Sequence, residues 1–146
     1  MSNVLSAYND LIKENDGIYR ALFKRLGLSP CTFWIMYTLR EERTVTTQTG
    51  ICEVLHEPKQ TVNSALKSLE AEGFITLSYG QDRRSKCVSL TEKGIQLAGR
   101  TVDKVMLAEQ SALLTLSGQE RETFLSLLRK YTKILKDKTE KIGGAN

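Results

Sequence analysis

A chain of 146 residues with 40% apolar and 26% charged residues is long enough for a real core and too apolar for disorder. Its net charge of +4 and pI near 9.0 are a mild basic excess, whose location says more than its sum. No apolar run approaches the roughly 18 residues of a membrane span, and no basic-then-apolar start marks a secretory signal. Cys31, Cys52 and Cys87 form no CxxC pair, so neither a disulfide framework nor a structural zinc site is indicated. A reducing, cytoplasmic setting with no membrane partner is the expectation.

The first helix is expected over about Val4 to Leu26. There Leu5, Tyr8, Leu11, Ile12, Tyr19, Leu22, Phe23 and Leu26 recur at mostly helical spacing, and Gly17 weakens the middle. Ser29-Pro30 opens a second helix, Pro30 to Glu41, with a capping hydroxyl before a proline at the first helical position. Phe33, Met36, Tyr37 and Leu39 or Ile35 face inward. A polar link carries Thr44, Thr46 and Thr47. Gln48 to His56 is a short third helix, ended by the restriction that Pro58 places on Glu57. Pro58 to Glu72 is the fourth, with Val62, Leu66 and Leu69 on one face and Gly73 as a left-handed stop. Phe74 to Ser78 and Cys87 to Leu90 read as the strands of a ribbon whose tip is Tyr79 to Lys86. Glu92 to about Leu114 is a long fifth helix. Ser117-x-x-Glu120 is a capping box that opens a sixth, with Phe124, Leu127, Leu128, Tyr131, Ile134 and Leu135 apolar. Helix, two-stranded ribbon with a basic tip, helix is the order of a winged helix-turn-helix. The expected fold is therefore mainly α with a small β-wing.

The fourth helix and the ribbon tip carry the chemistry. Lys59, Gln60, Asn63, Ser64 and Lys67 lie opposite Val62, Leu66 and Leu69. The DNA major groove admits one helix, which reads bases from its first turns. Gln60 and Asn63 are of the type that pairs bidentately with adenine, and Thr61 suits a thymine methyl. Lys59 and Lys67 suit phosphates, and the helix N-terminus adds partial positive charge. A solvated helix face would hold the same residue types. The neighbouring tip shifts the balance, because Arg83, Arg84 and Lys86 are the densest cation cluster in the chain. Asp82 is two positions from Arg84 and can hold its guanidinium in a fixed direction. Cations also protect exposed hairpin tips, but the whole pattern favours DNA contact.

Thr47-Gln48, Leu55, Thr61-Val62, Leu66, Leu69-Glu70, Gly73-Phe74-Ile75, Asp82-x-Arg84, Leu90-Thr91 and Gly94 together resemble the multiple-antibiotic-resistance regulator (MarR) family. The helix order fits over nearly the whole chain. The resemblance implies a sequence-specific DNA-binding transcription regulator, a homodimer on a pseudo-palindromic double-stranded operator. It implies DNA affinity set by a small ligand or by oxidation, read here as a repressor relieved by a small-molecule effector, and it implies that Arg84 enters the minor groove, where a narrow A·T-rich stretch concentrates negative potential. On this reading residues 1–146 are one unit, with 28–93 the DNA-binding part and 1–27 and 94–146 the helical dimerisation part. The first and last helices carry more apolar residues than one thin winged-helix body covers. Leu5, Tyr8, Leu11, Ile12, Phe124, Leu128, Tyr131 and Leu135 are the expected dimer contacts. Two departures from the family stand out. Gly50 replaces the Glu that completes a capping box, and Asn63-Ser64 stand where Arg often follows a Ser or Thr. The operator therefore cannot be borrowed from relatives.

The remaining residues give an enzyme little to use. There is one histidine, His56, placed to cap a helix C-terminus. No ligand cluster, phosphate loop or nucleophile elbow accompanies it, so no catalytic residue, metal or cofactor is expected. Tyr8, Tyr19, Trp34 and Tyr37 are candidates to line a ligand pocket between the first two helices and the fifth, although aromatic residues at this spacing also serve as core. Cys52, between Ile51 and Val54-Leu55, reads as core. Cys31, near a helix N-terminus, and Cys87, beside Lys86, read as structural, although both sit where a thiolate can be favoured. They carry the alternative of a thiol-based redox-sensing regulator. A second alternative, a winged-helix protein-interaction module without DNA binding, is opposed by Arg83, Arg84 and Lys86.

Overall fold

The computed structural model describes residues 3–41, 47–80 and 84–144. The chain forms two compact units, residues 1–104 and 105–146. In the first, α1 (Asn3–Leu26) and α2 (Pro30–Arg40) precede α3 (Gln48–Leu55) and α4 (Lys59–Ala71). A hairpin of β1 (Ile75–Tyr79) and β2 (Lys86–Leu90) leads into α5 (Glu92–Arg100). The hairpin is antiparallel, with Ile75 opposite Leu90 and Tyr79 opposite Lys86. Then α6 (Val102–Thr115) carries the chain into the second unit, which holds α7 (Gly118–Thr139). This is a winged helix-turn-helix with additional helices, the expected fold class.

The core of the first unit is apolar and closed. Phe33, Ile35, Met36, Ile51, Val62, Leu66, Ile75, Val88 and Val102 are all less than 2% exposed. Three helices of this unit end in the same way. After α1, Leu28 N donates to Phe23 O and Gly27 N to Lys24 O. After α4, Phe74 N donates to Leu69 O and Gly73 N to Glu70 O. Both glycines have positive φ, 67° and 81°, as this helix stop requires. After α3 the pattern recurs with Glu57 N to Cys52 O and His56 N to Glu53 O, but the left-handed residue is His56, at φ 53°. A histidine there costs conformational energy that glycine would not.

The expected single helix from Glu92 to Leu114 is two helices. Thr101 breaks it, with φ −125° and ψ −93°. Its hydroxyl donates to Leu97 O at 2.7 Å, and its backbone N–H donates to Ala98 O, three residues back. Gly99 and two β-branched residues, Thr101 and Val102, weaken the helix at this point. Other boundaries move by one residue: Pro58 is the residue before α4, not its first. In the second unit the capping box at Ser117 is complete, and Glu120 returns its carboxylate to Ser117 N at 2.7 Å. The Arg121 guanidinium donates to Leu116 O and closes the end of α6.

Candidate nucleic-acid interface

Thr47 starts α3 by accepting from Gly50 N at 3.1 Å, so half of the capping box forms without a Glu. The three-residue turn His56-Glu57-Pro58 then swings the chain into α4. Val62, Leu66 and Leu69 of α4 are buried, while Lys59, Gln60, Thr61, Ser64 and Lys67 are exposed on the other side. The amphipathic division read from the sequence is therefore present. Ser64 is partly occupied, since its hydroxyl donates back to Gln60 O at 3.0 Å. Asn63 lies between the two faces, half-buried, and its Oδ1 accepts from Gln48 Nε2 at 2.8 Å.

The hairpin is tied to α3. Ser85 Oγ accepts from Thr49 N at 3.2 Å and shares a 2.9 Å hydrogen bond with Thr49 Oγ1, while Cys87 forms a backbone bridge to Thr47. The returning end is locked by the Leu90-Thr91-x-x-Gly94 run. Thr91 Oγ1 donates to Gly73 O at 2.6 Å and accepts from Gly94 N at 3.0 Å, which joins the end of α4 to the start of α5. Lys93 Nζ donates to Glu72 O at 2.6 Å and lies 4.7 Å from the centre of the Phe74 ring. The wing thus holds a fixed base relative to α4.

Between them runs a groove of about 550 Å³, lined by Gln48, Thr49, Cys52, Glu53, Lys59, Asn63, Lys67, Tyr79, Arg84, Ser85 and Lys86. Five residues predicted to meet DNA converge there: Lys59, Asn63, Lys67, Arg84 and Lys86. Its charged lining is four cations against one anion, Glu53. Gln60, Thr61 and Ser64 lie on α4 outside this lining. Asp82 and Arg83, and the expected hold of Asp82 on Arg84, lie outside the described residues, as do Thr44 and Thr46. Lys86 is half-buried, with Nζ 5.6 Å from the Tyr79 ring centre, which limits its sweep. Gln48, Thr49, Tyr79 and Ser85 were not assigned to the site from sequence. For Tyr79 and Ser85 the only signal is their place in the hairpin tip.

The cysteines are redistributed. Cys52 is not core; Ile51 is the buried residue of that pair, and Cys52 faces the groove. The reason is phase, since one step along a helix rotates a side chain by about 100°. Cys31 borders a separate hollow with Trp34, Val54, Leu55 and Glu57. Burial first, then the Glu57 carboxylate and Cys52, push its thiol above the ordinary range, opposite to the effect a helix start can have. Tyr19, Trp34 and Tyr37 meet as rings, with centroids 5.4 Å apart for Tyr19–Trp34 and 5.3 Å for Trp34–Tyr37. Phe23 and Phe33 complete this cluster. Tyr8 is eleven residues before Tyr19 on α1, roughly 16 Å along the axis. Leu5, Tyr8, Leu11 and Ile12 of α1 and Phe124, Leu128, Tyr131 and Leu135 of α7 are all exposed. Arg40 and Asp103 form a two-bond ion pair at 2.8 and 2.7 Å, and this raises the Arg40 pKa. Among the described residues no group of His, Cys, Asp or Glu could hold a metal, and no helix is long and apolar enough to cross a membrane.

Residues 28–94 match the family described as a winged helix DNA-binding domain. An uncharacterised HTH-type transcriptional regulator of Bacillus subtilis (strain 168), YwoH, is 28% identical over 105 residues, which cover 72% of this chain and 76% of that one. Among solved structures, NMB1585, a MarR family regulator from Neisseria meningitidis, superposes with a TM-score of 0.79 at 25% identity. That match covers 95% of this chain and 98% of that one. The S. aureus MepR–DNA complex matches with a TM-score of 0.67 at 24% identity, covering 88% and 96% of the two chains.

Proposed function

We infer that this chain, a winged helix-turn-helix DNA-binding transcriptional regulator of the MarR type, reads an operator with α4 in the major groove and the wing tip at the flanking minor groove. One observation carries the assignment of residues: Lys59, Asn63, Lys67, Arg84 and Lys86, from two separate elements, line one groove. Lys59 and Lys67 serve phosphates, Gln60, Thr61 and Asn63 serve base edges, and Arg84 enters the minor groove. That MepR was solved on DNA supports the same use of this fold. The operator is pseudo-palindromic because the working unit is a homodimer, with two recognition helices about one helical turn apart. Regulation is repression, relieved when a small ligand binds near Tyr19, Trp34 and Tyr37.

Selection of binding fragments from random DNA by the purified protein supplies an operator, and titration of variants on it tests the roles. Lys67→Ala should weaken specific and random DNA alike and lower the salt slope by about one. Gln60→Ala should relax preference at one position of each half-site. Equal losses on specific and random DNA for Gln60→Ala would refute base reading by this residue, and an absence of any enriched sequence would refute the reading as a whole.

A further inference from the structure

Asn63 meets the groove with one end of its amide already engaged. Its Oδ1 accepts from Gln48 Nε2 at 2.8 Å, and Gln48, at the first position of α3, is only 8% exposed. Gln48 is thus a largely buried donor in the wall of the same groove. A primary amide has an oxygen that accepts through two lone pairs and a nitrogen that donates two hydrogens. With one lone pair of the oxygen taken by α3, the nitrogen, Nδ2, is the end without a protein partner among the described residues. Adenine is read by an amide that uses both ends, accepting from N6 and donating to N7. Guanine N7 and O6, and thymine O4, ask only for donors. The adenine pairing expected of Asn63 from its residue type must therefore share its oxygen with Gln48, whereas a donor contact to guanine or thymine need not. Gln48 itself is a polar side chain at a position buried enough to suit an apolar one, and burial of an amide is offset only when it is hydrogen-bonded.

We propose that Gln48 is a positioning residue for base reading: by holding the Asn63 carbonyl oxygen it turns the Asn63 amide nitrogen to the major groove, so that Asn63 selects guanine or thymine rather than adenine. This rests on α4 being the base-reading helix. Gln48→Glu reverses the logic, because a carboxylate only accepts. It would draw the Asn63 nitrogen inward and turn the oxygen out, towards bases that donate, adenine through N6 or cytosine through N4.

The test is selection from randomised duplexes with wild type, Asn63→Ala, Gln48→Glu and Gln48→Leu, followed by titration at the position that Asn63→Ala relaxes, with thermal melts alongside. Wild type should favour guanine or thymine there by about tenfold. Gln48→Glu should move the preference to adenine or cytosine, and Gln48→Leu should flatten it. The added charge of Gln48→Glu lowers affinity for every sequence and leaves the relative preference readable. If Gln48→Glu does not fold, Gln48→Leu carries the test, and unchanged discrimination by it overturns the proposal. A wild-type preference for adenine at this position, or an unchanged preference in Gln48→Glu, also overturns it while leaving base reading by α4 intact. If Asn63→Ala relaxes no position, base reading by Asn63 itself has failed and the role of Gln48 falls with it.

Discussion

Lys86 Nζ stands 5.6 Å from the centre of the Tyr79 ring, and the two residues face each other across the last rung of the hairpin. The aromatic face draws the ammonium towards the ribbon and limits its sweep. Arg84, two residues nearer the tip, is exposed and lines the groove. The two cations should therefore differ in role. Arg84→Ala is expected to weaken binding more than Lys86→Ala, with the difference largest on duplexes with A·T-rich flanks, where a narrow minor groove rewards a planar guanidinium. Tyr79→Ala should cost about two- to fivefold on all duplexes by releasing Lys86. Titration at matched salt on A·T-flanked and G·C-flanked duplexes measures all three. Equal losses for Arg84→Ala and Lys86→Ala, independent of flank, would reduce the wing to diffuse charge.

Gly94 is required by the hairpin's exit. A Cβ there would collide with the Phe74 carbonyl oxygen and press on Leu90 Cδ2 at 3.1 Å. The carbonyl cannot easily retreat, because it accepts from Thr91 N at 3.0 Å. Gly94→Ala should destabilise the protein by about 1–3 kcal/mol, as overpacking against backbone does. Thr91→Val keeps the shape but loses the bonds to Gly94 N and Gly73 O, and should cost about 1–2 kcal/mol. Chemical denaturation of both variants reads these losses directly. A Gly94→Ala protein as stable as the parent would mean that α5 can shift away from the hairpin.

Much of this was legible in the sequence because it depends on local rules. Ser29-Pro30, Gly73 and the Ser117-x-x-Glu120 box mark helix ends through backbone chemistry confined to a few residues. Val62, Leu66 and Leu69 mark a buried face through period alone. What was missed depends on pairs distant in sequence. The Gln48–Asn63 bond spans 15 residues and Thr49–Ser85 spans 36, so neither has a periodic trace. The break at Thr101 was masked by the strong helix formers that follow it, although Gly99, Thr101 and Val102 weaken the helix there. The left-handed His56 was hidden because its backbone geometry is normally announced by glycine.

Cys31 gives a pH dependence whose sign is fixed. Its thiol is raised by burial, then by Glu57 and Cys52, so the folded protein keeps a proton that the unfolded chain loses. Below the ordinary thiol pKa both states are neutral at this site and stability is unaffected. As pH climbs past that value, the unfolded state is favoured and stability falls. The same shift lowers the thiolate fraction near neutral pH. Iodoacetamide at about pH 8 should therefore label Cys31 more slowly in the native protein than in denaturant, and Glu57→Gln should speed the native reaction. Peptide mass spectrometry separates Cys31 from Cys52 and Cys87. Faster labelling of Cys31 in the folded state would contradict the raised thiol and favour the redox-sensor alternative.

The exposed stripe of α7 should be a contact between two copies of the chain. Phe124, Leu128, Tyr131 and Leu135 recur at steps of four, three and four, the spacing of a helix seam, and are 40–50% exposed. No residue of this 22-residue helix is buried. A helix of that length with one apolar side gains its stability from packing that side against something. Wild type should therefore sediment at twice the chain mass at micromolar concentration. Leu128→Glu combined with Tyr131→Glu should shift it to one chain mass, because two carboxylates would have to be buried unpaired. Affinity for a two-half-site operator should fall with it, while residual binding to a single half-site changes little, since α4 and the wing are untouched. A double variant that still sediments at twice the chain mass would remove this stripe from the contact, and a monomeric wild type would remove the dimer.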